Sequence, residues 1–141
     1  MIKHRFLLAT ILLSVIILSS MKTAGDWTLY KTVDGVSIYT KIESRTDNNK
    51  VINYQIFKYN NTNKYAVSLS WKLNIWYNGV CRACDLPSPN EYEMKLELNA
   101  GEVKTGNAKS ESKIFSIFQS SEGIAPLDKF EFENLKITSK E

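Results

Sequence analysis

The chain has 141 residues, with 18 basic against 15 acidic side chains, one histidine and two cysteines. Residues 1–25 read as an export leader: Lys3 and Arg5 precede the run Phe6 to Leu18, broken only by Thr10 and Ser14, and small polar residues follow to Gly25. Without it Lys3, Arg5, Lys22 and His4 are gone, leaving 15 basic and 15 acidic residues, which excludes imidazole catalysis and the basic excess of a nucleic-acid binder.

The apolar run of the leader would rise about 20 Å as a helix, short of the ~30 Å hydrocarbon core, so no stable membrane span is expected. The mature chain, residues 26–141, is one domain large enough for an ordinary core. It reads as short alternating segments with no long stretch of helical period, the all-β pattern. Trp27 to Thr32 and Val36 to Glu43 flank Asp34-Gly35, which supplies the positive φ angles of a tight hairpin. Val36, Ile38 and Ile42 share a face. Ser44 to Lys50 reads as a polar connector, and Lys50 to Tyr59 resumes the alternation with Ile52, Tyr54 and Ile56 against Asn53, Gln55 and Phe57.

Tyr65 to Tyr77 is the clearest strand. Its odd positions from Tyr65 to Tyr77 are all apolar and its even positions almost wholly polar, with Trp76 the misfit. Glu91 to Leu98 repeats the pattern, with Tyr92, Met94, Leu96 and Leu98 inward and charges outward that suit an edge strand. Val103 to Gly106 is a weak strand, Ile114 to Gln119 a further one, and Phe130 to Thr138 the last. In that last segment Phe130 and Phe132 share one face and Leu135 and Ile137 the other, a phase change that predicts a bulge near Asn134. About seven strands in this length fit an immunoglobulin-like antiparallel sandwich, with a small barrel as the alternative.

Cys81-Arg82-Ala83-Cys84 is the one motif with chemistry in it. Thiol-exchange pairs place the first sulfur at a helix N-terminus within a βαβ unit, but here Asn78-Gly79-Val80 before and Asp85-Leu86-Pro87-Ser88-Pro89 after put the pair in a loop between two predicted strands. Two cysteines without histidine do not complete a tetrahedral metal site, so the expected state in an exported protein is a structural disulfide between Cys81 and Cys84. Four aromatics fall on otherwise polar faces: Tyr39, Phe57, Tyr59 and Trp76. Such rings bind sugars or anchor protein partners, which makes them the candidate binding surface. Asn60-Asn61-Thr62 fits a glycosylation acceptor pattern but reads as a polar turn in a lysine-rich, arginine-poor chain of bacterial character.

Asn60 to Lys64 running into Ala66-Val67-Ser68-Leu69-Ser70-Trp71, with Leu96 to Glu102 later, resembles the layout of small exported bacterial immunoglobulin-like modules. The resemblance spans roughly Lys50 to Gly106; it implies the sandwich fold and supplies no catalytic residue. Trp27 to Tyr30 with Asp34 to Tyr39 is similar to the opening hairpin of lipid-transfer START domains, but their long helix has no counterpart here. The sequence therefore predicts an exported, periplasmic or extracellular, non-enzymatic module for an unidentified protein or glycan partner, with no cofactor and no metal. A thiol-active protein using Cys81 and Cys84, and a structural subunit of a cell-envelope assembly, are the alternatives.

Overall fold

A computed structural model describes residues 26–140; the export leader expected at residues 1–25 lies outside the described residues. Among the described residues there are nine strands and no helix. They are β1 (Thr28–Val33), β2 (Val36–Asp47), β3 (Lys50–Asn61), β4 (Val67–Tyr77), β5 (Val80–Cys81), β6 (Glu93–Leu98), β7 (Val103–Thr105), β8 (Ser116–Ser121) and β9 (Leu127–Ser139). The all-β expectation holds.

All pairs are antiparallel and form two sheets. In the first, β1, β2 and β3 are a meander, and the far edge of β3 is shared between β8, along Ile52 to Ile56, and β7, along Lys58 to Asn60. In the second, β4 is central, with β9 on one side and β6 followed by β5 on the other. The two sheets keep separate edges, so they do not close into the barrel considered above. As an edge strand, β6 alternates Met94, Leu96 and Leu98 inward with Glu93, Lys95 and Glu97 outward.

Three two-residue turns set the register. Asp34-Gly35 (φ 45° and 77°), Asn48-Asn49 (47° and 62°) and Asn78-Gly79 (50° and 72°) all adopt positive φ at both positions, the primed turns whose twist matches a hairpin. The second corrects the polar connector expected at Ser44 to Lys50: β2 continues through Asp47, which pairs with Lys50, because Asn tolerates the left-handed region nearly as well as Gly. The third turns β4 back into β5, where a loop was expected. The bulge predicted near Asn134 is present. Lys136 faces Ser70 and Glu133 faces Lys72, so Asn134 and Leu135 together stand opposite Trp71, and Asn134 has φ 53°.

The inner faces meet in an aromatic core. Trp71 stacks on Phe132 at 5.1 Å, and Phe57 meets Phe132 edge-on at 5.3 Å. Val36, Ile38, Val67, Leu69, Leu73, Met94 and Leu98 complete it. Tyr65, expected to begin the long strand inside, is instead half exposed, ahead of β4. Phe57 and Tyr59, expected on the binding surface, are fully buried here. The reason is that β3 is covered on both sides. Its inner face packs on the second sheet. On its outer face Ile56 is also fully buried, where the segment after Gly106 crosses and Ala108 N–H donates to Glu43 Oε1 at 3.0 Å. Alternation cannot report the solvent face of a strand buried on both.

Candidate functional site

At the end of the sandwich where β4 turns into β5 there is a cleft of ≈ 330 Å³. Ile75, Tyr77, Arg82, Tyr92, Phe118 and Ile124 line it. Ile75 and Tyr77 arrive by the period of β4, which alternates them inward past Trp76. Tyr92 comes from the approach to β6, whose backbone joins β4 early: Leu73 N–H donates to Tyr92 O at 2.8 Å. Phe118 lies on β8, so both sheets contribute walls.

The disulfide sits beside this cleft. Cys81 and Cys84 are bonded, and Cys81 is the cross-strand neighbour of Trp76. Between them Arg82 donates its backbone N–H to Ile75 O at 2.9 Å, and Lys72 Nζ donates to Cys84 O at 3.1 Å. Cys81 lies on the Trp76 face of the sheet, and alternation turns Arg82 to the other face and into the cleft. No helix follows the second cysteine; the segment to Asn90 is turns and bends. The N-terminal helix dipole that lowers thiol pKa in exchange motifs is therefore missing from this bridge. Among the described residues no three of His, Cys, Asp and Glu gather where they could hold a metal ion.

The wall is apolar in character despite its tyrosines. Tyr77 OH donates to Phe118 O at 2.6 Å, and burial first, then the neighbouring Tyr92, pushes its phenol up to about 12, with Arg82 acting the other way. That hydroxyl is a committed neutral donor, so the cleft presents its ring. The Arg82 guanidinium carbon lies 5.9 Å from the Tyr77 ring centroid.

No known protein family, curated protein or solved structure matches this chain. The site therefore stands on its own geometry.

The residues singled out in the sequence are dispersed. Trp76 and the cysteines come together, but Trp76 is half-buried on the outer face of the second sheet, under Lys129 Nζ at 4.2 Å, and does not line the cleft. Tyr39 lies on the outer face of the first sheet, where Lys58 Nζ stands 4.6 Å from its ring and 4.6 Å from that of Trp27. Phe57 and Tyr59 belong to the core. The residues missed are Tyr77, Arg82, Tyr92, Phe118 and Ile124. Tyr77 and Tyr92 carry inward parity, which in sequence reads as core. Asn78-Gly79 was the available signal, since a hairpin there returns Arg82 against β4.

Proposed function

We propose that the protein is an exported, non-enzymatic interaction module that engages a protein partner through the cleft at its disulfide end. The observation that carries this is the aromatic wall of Tyr77, Tyr92 and Phe118 beside a loop pinned by the Cys81–Cys84 bridge. Concave sites of this kind, rigid and lined by aromatic rings with few polar groups, are where binding energy concentrates. A glycan would need many directed hydrogen-bonding groups, and the Tyr77 hydroxyl is already used. Size and two packed antiparallel sheets support an immunoglobulin-like architecture. The β1-β2-β3 meander departs from the ABED order of immunoglobulin constant domains. The leader-like pattern of residues 1–25 and the Cys81–Cys84 bridge support a periplasmic or extracellular destination.

The test uses Ile124, which is 58% exposed at the cleft rim, so its replacement has little effect on folding. Mature protein immobilised as bait should retain an envelope partner that Ile124→Asp loses at unchanged melting temperature. Trp76→Ala, on the far face of the sheet, should keep that partner. Equal capture by Ile124→Asp and the parent chain would reject the cleft as the interaction site.

A further inference from the structure

The cleft is apolar except for one cation, and that cation is unmatched. Among the described residues Arg82, like nine of the lysines, has no ion pair, and it is the one charged side chain among those that line the cleft. Among the described residues no acid near the site forms an ion pair with Arg82; Asp85 and Glu122 make no ion pair, and two others are engaged elsewhere. Glu91, next to Tyr92 in the chain, is held by Lys113 at 2.8 Å, and Asp128 accepts the Gly79 N–H at 2.7 Å. Arg82 is also positioned rather than loose, since its backbone is fixed by Ile75 O and by the bridge on either side of it.

We propose that the cleft recognises the free C-terminus of a partner chain that ends in an aromatic or large aliphatic residue, Arg82 taking the carboxylate and the Tyr77–Tyr92–Phe118 wall the last side chain. This rests on the cleft being the interaction site. A guanidinium offers two parallel N–H donors that match a carboxylate, and stacking on a ring leaves those edge donors free. The apolar wall begins at Tyr77, whose ring centroid is 5.9 Å from the guanidinium carbon. A C-terminal residue carries carboxylate and side chain on one Cα and delivers both within that span. An internal Asp or Glu in an extended segment has its apolar neighbours pointing to the opposite face. The volume, ≈ 330 Å³, is at the low end for ligand sites, about 300–1,000 Å³, and suits one side chain rather than a long ligand.

The experiment is an NMR titration of the isotope-labelled mature chain with three capped peptides at millimolar concentration. One is acetyl-Gly-Phe with a free carboxylate, the second its C-terminal amide, and the third acetyl-Phe-Asp amide, whose only carboxylate is a side chain. The free acid should shift the amides of Tyr77, Arg82, Tyr92 and Ile124 and bind about tenfold more tightly than either amide, equivalent to about 1.4 kcal/mol. Arg82→Gln should abolish that preference while leaving the melting temperature unchanged, because the side chain is exposed. Equal shifts from the free acid and its amide would overturn the carboxylate claim and leave the cleft standing as a site. Equal binding of the Asp peptide would overturn the terminal claim. No shift from any peptide would overturn the proposal, and the Ile124→Asp capture result then judges the cleft separately.

Discussion

Asn61 is completely buried, and its side chain makes four hydrogen bonds: Nδ2 donates to Tyr65 O and Asn99 O at 2.9 Å each, and Oδ1 accepts from Asn63 N at 3.1 Å and Asn63 Nδ2 at 3.0 Å. One amide thus joins three turns, since Asn63 Nδ2 also donates to Asp34 O. Removing it strands several buried polar groups, so Asn61→Ala should lower unfolding free energy by roughly 2–4 kcal/mol in a denaturant titration. An unchanged midpoint would refute this accounting. The sequence reads Asn60 to Asn63 as a polar turn, but Asn60 and Asn61 are the last two residues of β3, paired with Ser37 and Val36; that Asn61 is a core residue depends in part on the Asn99 carbonyl 38 residues away and is invisible to local pattern. Phenols give a second prediction at this scale. Tyr59, by burial, and Tyr77, also chiefly by burial, hold their protons above the ordinary 10.0. The folded state binds these protons more tightly than the unfolded one. Stability is therefore full below pH 10 and falls as pH rises through about 12 for Tyr77. Tyr77→Phe should shift the alkaline unfolding limb upward in pH; an identical limb would count against it.

Among the elements, β3 explains most of what pattern reading got right and wrong. Strands with one wet face, β4 and β6, show their inward sets in the sequence without ambiguity. β3 is covered twice, so Phe57 and Tyr59 passed for surface aromatics. The outer cover begins at Gly106, whose N–H donates to Phe57 O at 2.9 Å while Phe57 N–H donates to Phe115 O at 3.0 Å. Both ends of the covering segment therefore close on one residue of β3. A Cβ at Gly106 would lie 2.3 Å from Phe115 O, a backbone atom that cannot step aside. Gly106→Ala should destabilise by about 1–3 kcal/mol and speed amide exchange at Phe57. The same segment is tied to β2 by Glu43, whose carboxyl is held below the usual range first by the Ala108 N–H and then by Lys41. A depressed folded pKa means the tie is intact above the unfolded value and is lost as pH falls through the folded one. Acidification should release exchange protection at Ala108 before the core amides respond, and Glu43→Gln should remove the pH dependence of that step.

For the molecule as a whole, the two ends differ in kind. The end with Asp34-Gly35 and Asn61 is closed by hydrogen bonds among turns, whereas the opposite end has the cleft and the bridge. All-β class, the edge character of β6 and the Asn134 bulge were legible from residue order. The cleft was not, because its walls come from both sheets and two of its tyrosines have the parity of core residues. A bridge closing so short a loop contributes at most about 2 kcal/mol to global stability in the chain-entropy model. Its role is local, in holding Arg82. A Cys81→Ser, Cys84→Ser double variant should therefore melt only slightly earlier than the parent yet lose most affinity for a partner held in the cleft. A large fall in melting temperature with affinity intact would reverse that assignment.

The three tryptophans occupy three separate surroundings: Trp71 in the core, Trp27 between the ammonium groups of Lys41 and Lys58, and Trp76 across the strand pair from Cys81. Disulfides quench excited indoles by accepting an electron, and cross-strand partners share a sheet face. Trp76 is consequently an optical reporter of the bridge. Its emission should rise on reduction while that of Trp71 stays constant, so the redox state of the loop can be followed by fluorescence with no added dye.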